Sequence, residues 1–310
     1  MTTLDRRAAG AEARLEELAD GVYAYVQPPG GWCVSNAGVI TGGGQVAVVD
    51  TTATALRAGA LRDTVTALRA GAVRTVVNTH FHGDHTFGNQ FFADTATIVG
   101  HRSARDEMLF AGFGLTMLWP DVSWGELRLT PPTLLFDSTL TLHLGDRRMD
   151  LIHVGPAHTT GDVAVWLPAE RVLFAGDVVL SGCTPFNLMG SITGGLRAVE
   201  RLAALQPLTV VTGHGVVCGP EVFRANSDYL RWLTDLAVAG RAAGLRPLDV
   251  ARQCDLGEFA DLLDAERIVG NLHRAYAELA GADPGVPLDV VAVFAEIIEF
   301  NGGRRPQCLA

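Results

Sequence analysis

The segment Thr79-His80-Phe81-His82-Gly83-Asp84-His85 constrains this chain more than any other stretch. With nine His in 310 residues, three His and one Asp at that spacing arise by composition alone about once in 10⁶ windows. A chance surface cluster is therefore set aside. The segment follows residues 73–77, a run dominated by β-branched side chains that reads as a largely buried strand. On a chain leaving a strand, the alternate residues His80 and His82 point to one side. A tight turn at Gly83 lets Asp84 and His85 face apart, so one loop can feed two metal ions. Imidazole is a good zinc ligand, and carboxylate is a harder partner that tolerates zinc, manganese or iron. Zinc is expected ahead of manganese or iron.

The same design recurs downstream. His158 sits in the turn-rich Gly155-Pro156-Ala157-His158-Thr159-Thr160-Gly161-Asp162, after an apolar strand. Asp177 follows Val172-Leu173-Phe174-Ala175-Gly176, and His214 follows Thr209-Val210-Val211-Thr212-Gly213. A lone His at a strand end is more often structural. Three more ionisable side chains, each at an apolar strand's exit beside glycine, repeat one arrangement, and layered folds keep their active sites there.

Between these points, strands are predicted over 22–26, 37–41 and 46–50, then a helix over 52–69 with Gly71 as C-cap. Further strands are predicted over 97–99, 140–144, 149–154, 163–167, 172–175 and 208–211, with helices near 87–91, from 102 and over 195–205. Residues 110–136 read as irregular, and beyond Pro220 the pattern is helical. Two sheet-rich halves covered by helices suit a layered α+β fold. The expected units are an N-terminal arm (1–20), a catalytic domain (21–220) and a helical C-terminal extension (221–310).

Lys plus Arg (24) against Asp plus Glu (34) leaves a net charge of −10. A field of that sign disfavours nucleic acid and anionic membranes, and no apolar run reaches the ~18 residues that span a bilayer. Residues 1–17 are charged and lack the apolar stretch of a secretory signal. Five widely spaced cysteines (Cys33, Cys183, Cys218, Cys254, Cys308) without a CxxC pair make neither a disulfide framework nor a zinc knuckle. A cytoplasmic protein without nucleic-acid or membrane partners is expected, and a homodimer stays open.

The order His-x-His-x-Asp-His, then His, Asp and His, resembles the metallo-β-lactamase superfamily over roughly residues 21–220. The resemblance implies an αββα sandwich with two metals at one edge. One metal would take His80, His82 and His158; the other would take Asp84, His85 and His214, with Asp177 bridging. Asp50 matches the family's carboxylate behind the ligands, and Asp162 would orient its own loop. Two close cations can activate a shared water and polarise a carbonyl, so hydrolysis of an ester, thioester, lactone or lactam is the default, with Asp84 moving the proton. The same charges could stabilise an enolate.

Asp177 stands where secreted lactamases of the family often carry Cys, and His82 where oxygen-reducing diiron members usually have Glu; both readings are demoted. Gly30-Gly31-Trp32-Cys33-Val34-Ser35-Asn36, Thr184-Pro185-Phe186, Asp228-Tyr229-Leu230-Arg231-Trp232 and the stretch from Asn301-Gly302-Gly303 to Cys308-Leu309-Ala310 are similar to the second-ring cyclases of bacterial aromatic (type II) polyketide pathways, the actinorhodin cyclase group. That likeness implies aldol ring closure with loss of water on an aromatic polyketide intermediate, carried on an acyl carrier protein, with thioester release at the same metals. Trp32, on a loop expected to be a flexible flap, with Asn36, Trp119 and Phe186, would contact the substrate; Trp124 and Met189 are further candidates for an apolar cavity. The alternatives are a general dizinc hydrolase of the glyoxalase II type and a non-catalytic metal-binding partner.

Overall fold

The computed structural model describes residues 13–310. Seven strands form one sheet in sequence order: β1 (Arg14–Ala19), β2 (Val22–Val26), β3 (Ala37–Gly42), β4 (Gln45–Val49), β5 (Ala72–Val77), β6 (Thr97–His101) and β7 (Leu134–Phe136). Neighbours pair antiparallel from β1 to β4 and parallel from β4 to β7. Five more, β8 (Thr139–Leu144), β9 (Arg147–His153), β10 (Val163–Leu167), β11 (Val172–Gly176) and β12 (Thr209–Thr212), form a second sheet in the order β12-β11-β10-β9-β8. Only β11 and β12 pair parallel there.

Alternation along the strands builds the layers. Val22, Ala24 and Val26 of β2 and Ala47 and Val49 of β4 meet Val163, Val165 and Leu167 of β10 and Val172 and Phe174 of β11 between the sheets. On the other face of the first sheet, Tyr25, Val46 and Val48 pack on Leu61 and Val65 of helix α1 (Ala55–Ala67). The opposite face of the second sheet sets Ala164, Trp166, Leu173 and Ala175 against Ala198, Val199 and Leu202 of a helix over Ile192–Ala203. Strands buried on both faces read as nearly unbroken apolar runs, and this chain's do. The result is helix, sheet, sheet, helix. Gly38 permits the close contact of the two sheets, since a Cβ there would meet the Phe174 ring at 2.5 Å.

The remaining helices, with Ile192–Ala203 as α5, are α2 (Gly83–Thr86), α3 (Arg102–Ala111), α4 (Gly114–Leu118), α6 (Glu221–Ala242), α7 (Pro247–Gln253), α8 (Arg267–Leu279) and α9 (Val290–Phe300). The last four make the C-terminal extension. It does not stand apart: Leu233, Leu248, Ile268, Leu272 and Ile297 share one apolar cluster with Trp32, Trp119, Trp124 and Phe186. No helix among the described residues is long and apolar enough to cross a membrane.

Several local expectations are corrected. Residues 14–19, placed in an N-terminal arm, form edge strand β1 on β2, and the rest of that arm up to residue 12 lies outside the described residues. Helix α1 ends at Ala67 with Leu68 as its C-cap, and Arg69 at φ 52°, rather than Gly71, takes the left-handed position after it. Residues 87–91 form a 3₁₀ turn, and the stretch 110–136 holds α4 and β7.

Candidate metal centre

The strand exits fall at one end of the sandwich, and backbone bonds lock them there. Asp50 N donates to Val77 O at 2.9 Å, Val163 N to Thr79 O at 2.7 Å, and Gly213 N to Gly176 O at 2.8 Å. Asp50 and Thr52, leaving β4, both adopt left-handed φ (60° and 68°), a conformation that costs energy for non-glycine residues and collects at functional sites.

The seven predicted ligands converge. Ligand atoms of His80, His82 and His158 lie within 4.8 Å of one another, as do those of Asp84, His85 and His214 and those of His80, His85 and Asp177. Within the first triad His82 Nδ1 lies 3.1 Å from His80 Nε2 and 2.9 Å from His158 Nε2. In the second, Asp84 Oδ2 is 3.3 Å from His214 Nε2 and 3.7 Å from His85 Nε2. Asp177 spans both: its oxygens lie 3.2 Å from His85, 3.5 Å from His158 and 3.3 Å from His214.

Partners outside the cluster fix which ring nitrogen turns inward. His85 Nδ1 donates to Asp50 Oδ2 at 2.8 Å, His214 Nδ1 to the Gly31 carbonyl at 3.1 Å, and His158 Nδ1 to the Phe186 carbonyl. Those oxygens only accept, so each Nδ1 carries hydrogen and Nε2 is the nitrogen turned to the centre, the one a metal would bind. Asp50 also accepts from Thr79 N (2.8 Å) and Thr79 Oγ1 (2.7 Å). Asp162 accepts from Thr159 N, Thr159 Oγ1 and Ala157 N, which shapes the loop carrying His158.

Electrostatics follow the same division. Burial lowers His82 to about 3, and the His158 ring beside it acts in the same direction. Burial and neighbouring rings also hold His80 well below the ordinary range. At His214 burial works downward, but the Asp177 and Asp84 carboxylates outweigh it and push the ring up to about 9. Three neutral imidazoles crowd one triad and two carboxylates the other. Among the described residues, His85 Nε2 and Asp177 Oδ1 are buried without a hydrogen-bond partner. Lone pairs facing lone pairs and orphaned buried acceptors are costly alone, and a pair of cations satisfies them all. The histidine and aspartate clusters fit a dinuclear metal site.

A cavity of about 50 Å³ opens over the cluster, walled by Trp32, Cys33, Leu115, Leu118, Phe186, Met189, Arg267 and Phe294. Of the four predicted substrate contacts, Trp32 and Phe186 line it. Asn36 does not: its amide donates to Thr212 O and Gly215 O and its oxygen accepts from Gln27 N, so it holds the His214 loop instead. Trp119 packs behind Trp32, ring centroids 5.5 Å apart, and donates to the Pro306 carbonyl. Trp124 is likewise core, whereas Met189 lines the cavity. The expected flexible flap is a clamped loop. Trp32 Nε1 donates to Glu266 Oε1 at 2.8 Å, and Cys183 Sγ donates to Gly30 O at 3.1 Å. Arg267 was missed; its signal is the spacing of Arg267 and Arg274, seven residues apart on the buried face of α8.

Comparison with known proteins agrees with this geometry. The sequence pattern of the Metallo-beta-lactamase superfamily matches residues 30–214. The chain is similar to a hydroxyacylglutathione hydrolase of Methylococcus capsulatus, 30% identical over 226 residues that cover 72% of this chain and 77% of that protein. It is similar to an acyl-coenzyme A thioesterase of Bos taurus, 28% identical over 225 residues, 63% of this chain and 78% of that one. The 2,4-dinitroanisole O-demethylase subunit alpha of a Nocardioides species is 29% identical over 193 residues, 61% of this chain, and the match spans about half (52%) of that subunit. The matched segment runs from the Trp32 loop to His214 and contains all seven converging side chains, and on that ground the chain belongs to the metallo-β-lactamase superfamily.

Proposed function

We propose that this chain is a dinuclear-metal hydrolase of a short acyl thioester. The observation that carries the reading is the size of the room in front of the metal ligands. About 50 Å³ directly in front of the ligand cluster, walled by leucine, methionine and aromatic side chains, suits a short acyl chain. The relatives named as a hydroxyacylglutathione hydrolase and an acyl-coenzyme A thioesterase point the same way.

Two divalent cations, zinc by the chemistry of the donors, would be held by His80, His82 and His158 and by Asp84, His85 and His214, with Asp177 between; when bound they supply Lewis-acid activation of water and of the acyl carbonyl. The chain's own part is geometry and proton handling. Asp50, the Gly31 carbonyl and the Phe186 carbonyl lock three rings in one tautomer. Asp84 lines the cavity and is placed to take a proton there and return it to the leaving thiolate. Trp32, Leu115, Leu118, Phe186 and Phe294 give the cavity an apolar wall, which strengthens the charge interactions beside it.

Zinc-loaded protein assayed against short and long acyl thioesters, lactones and lactams tests this. Turnover in the ordinary range of about 1–10³ s⁻¹ on a short acyl thioester supports it; lactam turnover alone overturns it. The second reading is the polyketide cyclase, favoured by one observation, the aromatic wall of Trp32, Phe186 and Phe294. It requires the α4 side of the cavity to move aside for a polyketide carried on an acyl carrier protein. Polyketide profiles unchanged by deletion of the protein would remove it.

A further inference from the structure

Arg267, Asn271 and Arg274 are buried polar side chains of α8, spaced so that they share one side of the helix. All three are spent on a single stretch of backbone. Arg267 Nη1 donates to the Thr184 carbonyl at 3.0 Å, Asn271 Nδ2 to the Pro185 carbonyl at 2.7 Å, and Arg274 Nη2 to the Leu188 carbonyl at 2.7 Å. Asn271 does more than the arginines. Its Oδ1 accepts from Asn187 N at 2.8 Å, so one amide brackets Phe186 from both sides, and Nδ2 also donates to Tyr229 Oη at 3.1 Å. The N–H of Asn187 belongs to the same peptide group as the Phe186 carbonyl, and that peptide is trans. In a trans peptide the N–H and C=O lie in one plane and point opposite ways. With the N–H held by Asn271 on one side, the carbonyl is aimed to the other, where it accepts from His158 Nδ1. Asn187 adds a second tie, its Nδ2 donating at 2.9 Å to the carbonyl of Ala157, the residue before His158.

We propose that Asn271 is a positioning residue for the metal centre: through the Phe186–Asn187 peptide it aims the carbonyl that fixes the His158 ring, and so governs how tightly His80, His82 and His158 hold a metal ion. The inference rests on the metal centre and not on the identity of the substrate. A residue that only pinned α8 to the 184–188 segment would need no more than the carbonyl contacts, and Arg267 and Arg274 already make those. The bond from Asn187 N to Asn271 Oδ1 is the one in line with His158, and hydrogen bonds in such a row strengthen one another. Once it is lost, the 186–187 peptide is free to turn, and the ring loses the acceptor that keeps Nδ1 outward and Nε2 inward. Partners that orient a ligand in this way are worth about 10–100-fold in metal affinity. The other triad takes its orientation from Asp50 and the Gly31 carbonyl, neither of which touches the segment, so the effect falls on one triad alone.

The test strips the full chain, reloads it with zinc, and measures the two dissociation constants by chelator competition. In Asn271→Ala one constant should weaken by about 10–100-fold while the other stays within about threefold of wild type. A His158→Ala background identifies the triad: there, adding Asn271→Ala should change neither constant by more than about threefold, because the two residues act in series. Asn271→Asp keeps an oxygen facing Asn187 N and should hold both constants within about threefold of wild type. Three results overturn the proposal: unchanged constants in Asn271→Ala, equal weakening of both, or a full further loss in the His158→Ala background. An Asp variant that loses as much metal as the Ala variant also overturns it, since the bond to Asn187 is then not what matters. Circular dichroism identifies an unfolded chain, and Asn271→Leu, which fills the same space without the amide, is read in place of an Ala variant that fails to fold. If neither folds, Asn271 is part of the scaffold and the proposal falls. A wild-type chain that retains fewer than two zinc ions removes the metal centre and this inference with it. Thioester turnover has no part in the readout, so failure of the substrate reading leaves the result standing.

Discussion

Replacing Gly213 with alanine probes the bridging carboxylate without touching a ligand. An ideal Cβ on Gly213 would stand 1.8 Å from Asp177 Oδ1, while real Cβ atoms essentially never come within 3.0 Å of a neighbour. The carboxylate must therefore retreat by about 1.2 Å. The chain cannot simply yield instead, because Gly176 backbone lies 2.8 Å from the same Cβ and Gly213 N is bonded to Gly176 O. Asp177 starts 3.2 Å to 3.5 Å from three ligand nitrogens, so a shift of that size takes it out of reach of at least one. Misplacing a reacting constellation by about 1 Å costs on the order of 10²-fold in rate, and overpacking adds about 1–3 kcal/mol of destabilisation. Metal content per chain, kcat/KM on a turned-over thioester and the denaturant midpoint read the three effects. Two equivalents of metal with undiminished kcat/KM in a folded Gly213→Ala protein would refute the placement of Asp177 between the metals.

Other perturbations separate structure from chemistry. Asp50→Asn presents an amide to three donors, His85 Nδ1, Thr79 N and Thr79 Oγ1; metal affinity measured by chelator competition should fall about 10–100-fold. Trp32→Ala should cost about 3–5 kcal/mol in urea titrations, because the ring is core rather than flap, 5.1 Å from Phe186 and 5.9 Å from Phe294; a loss under about 1 kcal/mol would restore the flap. Burial pushes the Glu107 carboxyl from 4.5 up to about 7, so between those values the folded chain binds more protons than the unfolded one. Stability should fall as pH rises through that window, by at most about 3 kcal/mol, and Glu107→Gln should flatten the slope seen in denaturant midpoints from pH 5 to 8. Gly59→Ala, inside α1 with nothing within 4 Å of the new Cβ, should raise stability by about 0.5–1 kcal/mol.

The convergence of the seven side chains was legible because its information is local. His80 to His85 are consecutive, and Asp177 and His214 each follow an apolar strand whose burial on both faces writes an unbroken run. Asp50 and Asp162 were legible for the same reason, one closing a strand and the other closing a turn. What escaped depends on distance along the chain. The loop at 28–36 has the Pro-Gly composition of a mobile flap, yet its rigidity comes from Cys183 and Glu266, far away in sequence. Asn36 looks like a substrate contact until the Thr212 and Gly215 carbonyls consume its amide. Strand β1 hides its alternation behind a register shift between Glu17 and Ala19 and sits half-exposed at an edge, where charge is expected of a strand that must not aggregate.

The helical extension follows from the same reasoning about distance. His214 holds its inward nitrogen in place through the Gly31 carbonyl, and Gly31 is the residue before Trp32. Trp32 is held in turn by Glu266 and Arg267, at the start of α8, and buried against Phe294 of α9. His214, at the end of β12, is thus oriented through a loop that the extension clamps, although no residue of the extension belongs to the seven-residue cluster. The apolar cluster that joins the two parts runs without a break from Trp32 to Ile297, and stripping one side would expose the tryptophans that shape the cavity. The extension therefore sets the size of the room over the histidine and aspartate cluster as well as the angle of one ring.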